Sequence, residues 1–406
     1  MLLPFVAEAA ILRSYGQAMK WLTTVVPMRS PAVFDGPDAT TTLCEHIAEA
    51  GVERLLVVTD ADLRGLGLLD PILENLERLG IELTLYDHIT PDPTTEQIDE
   101  GARLLRERDC DAVLAVGGGS PIDAAKVISA CATNHKQVRE LAGMFRVRRR
   151  PKRIFAIPTT AGTGSEVTVA AVVTDSDDQR KLPVVDGKLV PHAVALDGTL
   201  TLGLPPRLTA ATGMDVLTHA IEAYLSRAAN RRTRQYAASA ARRTFAYLPR
   251  AHEDGGKDLE ARQQMLLASH EAGRAINQAS AGYVHAIAHQ IGARYHTPHG
   301  LANATILPSV LAHSRPQIDP QLAELALYCG LSAPGPGDTA LADRLLEHIT
   351  QLCRRLAIPV ALDGLLVDDI PALAKGALRE ARMLYAVPRL MRTRDCERLL
   401  SGLLPA

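Results

Sequence analysis

Hydrophobic runs alternate with amphipathic stretches over the first half of the chain, which predicts strands and helices in turn. Short β-branched or apolar runs, such as RLLVVTD (54–60), IELTLYD (81–87) and DAVLAVGGGS (111–120), are separated by stretches with one apolar helical face, such as TEQIDEGARLLRERD. The runs are almost continuously apolar, which is typical of strands buried on both faces. We therefore predict a parallel sheet covered by helices for residues 31–205.

The pattern changes after LPPRLTAATGMD (204–215), where strand-like runs disappear. The rest of the sequence consists of long helical segments rich in Ala, Leu and Arg, which predicts an all-helical domain for residues 206–406. Residues 1–30 are predicted to form a separate helical extension. Their apolar stretch has no positive start and is interrupted by Glu8, so it does not fit a signal peptide.

Composition and charge exclude several classes of partner. The formal net charge is -2, which gives no electrostatic reason to expect nucleic acid or an anionic membrane. Aromatic residues make up only 4%, which argues against stacking on exposed bases, and no run approaches the roughly 20 apolar residues of a membrane span. The six cysteines are scattered without close pairs, as expected of reduced thiols in the cytoplasm.

Two loops at the ends of predicted strands carry candidate cofactor-binding residues. Gly117, Gly118 and Gly119 stand between a strand and a helix, where they allow close backbone approach and free N–H groups suited to a pyrophosphate. The spacing is neither G-x-G-x-x-G nor a P-loop, so a tight turn without a ligand is the alternative. A second loop, PTTAGTGSE, follows another strand and supplies the hydroxyls of Thr159, Thr160, Thr163 and Ser165. Because ligands bind at the carboxyl ends of strands in open α/β sheets, we expect both loops to face one ligand.

Asp60, at the end of the run 54–60, has two candidate roles. Its carboxylate can accept hydrogen bonds from a ribose diol, and it would repel a 2′-phosphate, which favours NAD over NADP. The alternative is that Asp60 caps the N-terminus of the following helix. The sequence leaves both roles open.

Histidines and a carboxylate in the helical half have the spacing of metal ligands. Asp215 and His219 are four residues apart and would share a helix face, and His285 and His289 repeat that spacing. A carboxylate with several imidazoles suits zinc or iron(II). In one continuous helix His285 and His299 would be about 21 Å apart, so they could share an ion only if the chain folded back. Spacing alone therefore allows His285 to pair with either His289 or His299, and His296 is a third option.

Four separated motifs stand in order along the chain: GGGSPIDAAK, PTTAGTGSEVT, ATGMDVLTHAIEAY and GYVHAIAHQIGARYHTPHGLANATILP. Together they resemble the iron-containing (group III) alcohol dehydrogenases. Four motifs in the right order make the resemblance specific, and it extends over most of the chain. It implies an N-terminal nucleotide-binding α/β domain followed by a helical domain (the dehydroquinate synthase-like fold), with the active site between them and a homodimeric assembly.

The resemblance also implies which residues bind the metal and the cofactor. The family's ligands to Fe(II), or to zinc in some members, fall on Asp215, His219, His285 and His299. Its cofactor contacts fall on Gly118, Gly119, Ser120, Asp123, Thr159, Thr160, Thr163 and Lys181. Asp60 matches the position associated with NAD preference. The pattern leaves His289 near the metal without binding it, where it could relay the alcohol proton or only donate a supporting hydrogen bond.

Three positions depart from the family pattern. Asp92 stands where many members have Asn, Gly198 stands where Pro is common, and Ala170 stands where the lactaldehyde-reducing relatives carry Asn. These departures leave the implied metal site intact, but they leave the substrate unidentified.

The hypothesis from the sequence is reversible hydride transfer between a primary alcohol, or its aldehyde, and NAD, with NADP less favoured. A bound metal would act as a Lewis acid on the alcohol oxygen. Two alternatives remain: a zinc-dependent polyol dehydrogenase of the same fold, or a metal- and nucleotide-binding regulatory protein without catalysis.

Overall fold

The computed structural model describes residues 29–177, 180–253, 256–332 and 337–405. These residues form two compact units. The first contains residues 29–177, 180–204 and 256–270, and the second contains residues 205–253, 271–332 and 337–405. The predicted N-terminal extension, residues 1–30, lies almost entirely outside the described residues.

Nine strands lie in the first unit. They are β1 Ala32–Asp35, β2 Arg54–Val58, β3 Glu82–Tyr86, β4 Ala112–Gly117, β5 Gly143–Met144, β6 Arg153–Pro158, β7 Ala170–Thr174, β8 Lys181–Val185 and β9 Ala193–Leu196. Six of them form a sheet in the order β1-β9-β6-β4-β2-β3, in which every pair of neighbours is parallel. The predicted parallel sheet is therefore confirmed.

Six helices connect these strands in the described part of the first unit before residue 205. They are α1 Ala39–Glu49, α2 Ala61–Gly65, α3 Asp70–Arg78, α4 Thr95–Glu107, α5 Gly119–Asn134 and α6 Val138–Leu141. A capping box starts α4, because Thr94 accepts from the backbone N–H of Gln97 while the Gln97 side chain accepts from the N–H of Thr94. Leu43 and Ile47 of α1 are fully buried in one core with the strand residues Leu55, Val57 and Leu114. This is the arrangement that near-continuous apolar strands require.

A second sheet of three short strands has the order β5-β8-β7. β7 and β8 are antiparallel, with Thr174 opposite Lys181 and Val172 opposite Pro183. The hydrophobic pattern does not predict these strands, because β5 has only two residues and a proline inside a run argues against a strand.

The second unit is helical, and the described residues after β9 contain no strand. Its helices are α7 Pro206–Leu225, α8 Arg231–Glu253, the last part of α9 Leu259–Ala279, α10 Tyr283–Tyr295, α11 His299–Tyr328, α12 Asp338–Arg355, α13 Ile370–Leu384 and α14 Thr393–Ser401. Gly213 lets α7 and α8 pack closely, since a Cβ there would lie 2.2 Å from a methyl group of Leu248. The predicted combination of a parallel-sheet unit and a helical unit is confirmed.

None of the helices in the described part of the chain combines the length and the apolar character of a membrane span. The six cysteines form no disulfide, and five of them are buried.

Candidate metal and cofactor sites

The chain reverses direction between α10 and α11, inside the histidine-rich segment. His296 adopts a left-handed conformation with φ of 55° after the last residue of α10, and its N–H donates to the Gly292 carbonyl at 3.0 Å. The next helix begins at His299. The ring centroids of His285 and His299 are consequently 5.4 Å apart, not the roughly 21 Å of a continuous helix. His289 also lies nearby, 6.1 Å from the ring of His285.

Gly300 lets the first turn of α11 lie directly against α7. A Cβ at position 300 would stand 2.3 Å from the Ala211 carbonyl oxygen and 3.4 Å from the Cβ of Asp215. Any side chain there would push α11 away from α7 and with it His299 away from Asp215. A glycine after His299 is therefore a packing requirement of this cluster.

Three imidazoles converge on one carboxylate oxygen, Oδ1 of Asp215. The Nε2 atoms of His285 and His299 each lie 3.8 Å from it, and Nε2 of His219 lies 4.0 Å from it. Asp215, His285 and His299 each offer one ligand atom, and these atoms all lie within 4.8 Å of one another. His219 is not part of that closest group, but its ring stacks on His285 at 4.6 Å.

The contacts of Asn303 show that the candidate ligand atoms face a common hydrogen-bond donor, as they would face a cation. Its Nδ2 donates to Asp215 Oδ1 at 2.7 Å and lies 3.1 Å from His299 Nε2 and 3.4 Å from His285 Nε2. The Asn303 amide nitrogen thus lies within 3.4 Å of one oxygen of Asp215 and of one ring nitrogen each of His285 and His299. One carboxylate with three imidazoles is also a donor set that Fe(II) and Zn(II) accept, so the residues fit the implied metal.

Electrostatics keep Asp215 and His285 in the protonation states that a metal requires. Burial by itself would raise the pKa of Asp215, but His219, His299 and His285 outweigh it and lower the pKa to about 2. Burial, together with the imidazoles of His219 and His299, holds the pKa of His285 well below its ordinary value. Asp215 is therefore ionised and His285 neutral near pH 7, as metal ligands must be.

Glu222 is a site residue that the sequence analysis does not identify. Its carboxylate lies 2.6 Å from Nδ1 of His285 and accepts from the backbone N–H groups of Gly282 and Val284 at 2.8 and 2.7 Å. Burial raises the pKa of Glu222 to about 7. The contact directs Nε2 of His285 towards Asp215. Its position two turns after Asp215, on the same face of α7, is the signal that could have revealed it.

Glu380 holds His289 beside the cluster. Its Oε1 lies 2.6 Å from Nδ1 of His289 and accepts from the hydroxyl of Tyr385 at 2.7 Å. The ring of His289 stacks on His299 at 5.3 Å, and its side chain is 41% exposed. Desolvation would lower the pKa of His289, but the hydrogen bond and charge of Glu380 outweigh it and raise the pKa. No spacing in the sequence links Glu380 to His289, because 91 positions separate them.

The two predicted cofactor loops lie side by side in the first unit. The last residues of β4 and β6, Gly117 and Pro158, are paired, and the N–H of Thr159 donates to the Gly117 carbonyl at 3.0 Å. A Cβ on Gly119 would stand 2.8 Å from Cγ2 of Thr163. No side chain caps the N-terminus of α5, so its first N–H groups are suited to a phosphate. The glycine and threonine loops thus form a cradle that fits a dinucleotide.

Asp60 lies at the same sheet edge, because β2 pairs with β4. Its Oδ1 accepts from the N–H of Leu63 at 2.8 Å, so Asp60 caps α2. Burial raises the pKa of Asp60. A carboxylate can accept several hydrogen bonds, so the N-cap role and the predicted ribose contact do not exclude each other.

Asp123 uses both carboxylate oxygens to connect α5 to the threonine loop and β7. Oδ1 accepts from the Ser165 hydroxyl at 2.6 Å, and Oδ2 accepts from the N–H of Val172 at 2.9 Å. The fully buried Lys126 lies 3.8 Å from Oδ1. These contacts describe a residue that supports the cofactor loops, and a direct cofactor contact of Asp123 stays a prediction.

Lys181 and Ser120 both contact Asp92. Nζ of Lys181 lies 2.6 Å from Oδ1 of Asp92 and donates to Oγ1 of Thr174 at 2.9 Å. The N–H of Asp92 donates to Oγ of Ser120 at 3.3 Å. Both predicted cofactor residues therefore contact Asp92, one of the three positions that depart from the family pattern.

Comparisons with known proteins identify the family to which the chain is similar. Residues 30–198 match a family model described as iron-containing alcohol dehydrogenase, and residues 209–404 match one described as Fe-containing alcohol dehydrogenase family, C-terminal. The chain is 34% identical over 376 residues to the NAD-dependent methanol dehydrogenase of Bacillus methanolicus, covering 92% of this chain and 98% of that protein. It is 38% identical over 360 residues to the 1,3-propanediol dehydrogenase of Klebsiella pneumoniae, covering 88% and 92%. A crystal structure of 1,3-propanediol oxidoreductase superposes with a TM-score of 0.90 at 35% identity, covering 93% of this chain and 99% of that one.

Proposed function

Because the chain belongs to the iron-containing alcohol dehydrogenase family and is an oxidoreductase that acts on alcohols, we propose that it transfers hydride reversibly between a primary alcohol, or its aldehyde, and NAD. The convergence of three imidazole Nε2 atoms on the buried carboxylate of Asp215 is the main support. Fe(II), or alternatively Zn(II), would be held by Asp215, His219, His285 and His299. When bound, the ion supplies a Lewis acid for the alcohol oxygen, and NAD supplies the hydride acceptor.

The chain's own residues orient these groups and handle the proton. Glu222 accepts a hydrogen bond from the Nδ1–H group of His285, so Nε2 keeps its lone pair for the ion. Glu380 likewise accepts a hydrogen bond from the Nδ1–H group of His289, which leaves Nε2 of that ring able to take up the proton of the alcohol. The partial exposure of His289 gives this proton a path to solvent.

NAD would bind along the two loops at the carboxyl edge of the sheet. The diphosphate would lie at the N-terminus of α5 beside Gly118 and Gly119, and the carboxylate of Asp60 would accept from the ribose diol. The NAD dependence named for the Bacillus methanolicus relative supports NAD over NADP. The relatives are named for methanol and 1,3-propanediol, so the proposal extends to short primary alcohols as a class. A cytoplasmic location and a homodimeric assembly belong to the same proposal.

The test measures NADH formation from methanol, ethanol, 1,3-propanediol and glycerol, with Fe(II) or Zn(II) added, and compares NAD with NADP. Turnover of a primary alcohol with Fe(II) and NAD is expected. A preference for glycerol with zinc would support the polyol dehydrogenase alternative. No turnover of any alcohol or aldehyde by metal-loaded protein would contradict the proposal.

A matched pair of histidine variants tests the metal assignment. His299→Ala should lose bound metal, measured by elemental analysis, because its Nε2 is one of the converging donors. His296→Asn should keep the metal, because position 296 only ends α10 in a left-handed conformation that asparagine also adopts. Equal metal content in the two variants would show that His299 is not a ligand.

A further inference from the structure

The ion pair between Asp92 and Lys181 borders the loop to which we assign the cofactor diphosphate. Asp92 adopts a left-handed conformation with φ of 60°, and this turn brings its N–H to Oγ of Ser120, the second residue of α5. Its carboxylate then meets Nζ of Lys181 at 2.6 Å. The pair thus lies next to the N-terminal turn of α5.

Backbone hydrogen bonds connect the segments that carry Asp92 and Lys181. The N–H of Thr174 donates to the Pro93 carbonyl at 2.8 Å, and Lys181 is opposite Thr174 in the β7–β8 ladder. Nζ of Lys181 also donates to the hydroxyl of Thr174. Lys181 is therefore held in place by Thr174 as well as by Asp92, and removal of the carboxylate leaves one of its two contacts.

We infer that Asp92 weakens the binding of the dinucleotide by neutralising Lys181, and so speeds release of NADH. This inference rests on the proposed function. An unpaired ammonium beside the N-terminus of α5 would add to the positive potential that attracts a diphosphate, and a carboxylate at 2.6 Å cancels most of that field. The pair is partly in solvent, with side-chain exposures of 73% for Asp92 and 34% for Lys181, so the effect is moderate.

The variant Asp92→Asn removes the negative charge of the side chain and keeps its size. Asparagine adopts the left-handed conformation as readily as aspartate, so the turn and its contact with Ser120 should persist. We expect the Kd for NADH, measured by cofactor fluorescence, to fall by about three- to tenfold at low salt, with a slower dissociation rate in stopped-flow experiments. The gain should shrink as ionic strength rises.

Asp109→Asn is the matched control. Asp109 also has a positive φ, 46°, is 82% exposed and is ion-paired, to Arg54 at 2.8 Å. It precedes β4, at the opposite edge of the sheet from Ser120. Its loss should leave the Kd for NADH unchanged.

A double-mutant cycle with Lys181→Met tests whether Asp92 acts through Lys181. Loss of Lys181 should weaken NADH binding and remove most of the effect of Asp92→Asn. An unchanged or higher Kd in Asp92→Asn, or a full effect that persists in the Lys181→Met background, would overturn the inference. Failure of the wild-type protein to bind NADH at all would instead contradict the proposed function.

Discussion

At the scale of single residues, one buried carboxylate fixes the orientation of a candidate metal ligand. Glu222 accepts three hydrogen bonds, from His285 and from the backbone of Gly282 and Val284. Gly282 is part of the arrangement, since a Cβ there would stand 2.6 Å from Oε1 of Glu222. Asn303 approaches the same cluster from α11 and hydrogen-bonds to Asp215. Each of these residues acts on a ligand and would not itself bind the ion.

Glu222→Gln should lower metal affinity by about 10- to 100-fold, because an amide no longer secures the His285 tautomer that leaves Nε2 free. The measurement is competition against a chromophoric chelator. Glu253→Gln is a suitable control, since Glu253 is exposed and pairs with Arg355 on the same unit. Metal affinity equal to that of the wild-type protein would remove Glu222 from the site.

At the scale of elements, the site depends on where two helices stop and start. α10 ends at Tyr295, the left-handed His296 turns the chain, and α11 begins at His299. Only this break brings His299 to the same carboxylate oxygen as His285. Gly300 then sets how closely α11 can approach α7.

Gly300→Ala should destabilise the protein by about 1–3 kcal/mol and reduce bound metal, because the new Cβ overlaps the Ala211 carbonyl oxygen. Urea denaturation and elemental analysis measure the two effects. Gly292→Ala is the control, since the nearest neighbour of a Cβ there is at an ordinary 3.6 Å and alanine favours a helix. If both variants keep wild-type stability and metal content, the close approach of α11 is not required.

At the scale of the whole molecule, the net charge is -2, but positive charges are concentrated in one segment of the chain. Six of the eight residues 146–153 are Arg or Lys. They precede and begin β6, at the amino edge of the sheet and away from the cofactor loops. His192, just before β9, lies among these charges, and its Nδ1 accepts from the N–H of Ile154 at 3.2 Å. Burial and then the charges of Arg29, Arg150 and Arg153 lower the pKa of His192 to about 4.

This depressed pKa predicts a pH dependence of stability. Between pH 4 and pH 6.5 the unfolded chain binds a proton at His192 that the folded protein does not, so the free energy of unfolding rises with pH across this window. The contribution is complete above pH 6.5 and is lost as the pH falls towards 4. His192→Gln, which keeps an acceptor but does not titrate, should flatten this slope in urea denaturation of metal-free protein. A slope identical to that of the wild-type protein would contradict the prediction.

The sequence predicted much of this protein because periodicity is a local property. Continuous apolar runs between amphipathic stretches were sufficient to indicate the parallel sheet and the helical half, and the spacing of Asp215 and His219 placed both on one helix face. The small sheet was missed because a proline interrupts β8. The four motifs by themselves indicate the family, because each is a continuous local stretch of sequence.

Tertiary packing decided which distant side chains contact each other, and no local sequence pattern contains that information. Spacing allowed His285 to pair with His289 or His299, and the turn at His296 brought His299 to Asp215 while Glu380 engaged Nδ1 of His289. Glu222 contacts His285, from which 63 positions of sequence separate it. Asp92 forms an ion pair with Lys181, which belongs to β8 of the small sheet. The sequence by itself determined which elements form and which residue types are available. The packing of those elements determined which side chains meet, because such contacts depend on helix ends, close glycine approaches and charge pairs between segments distant in the chain.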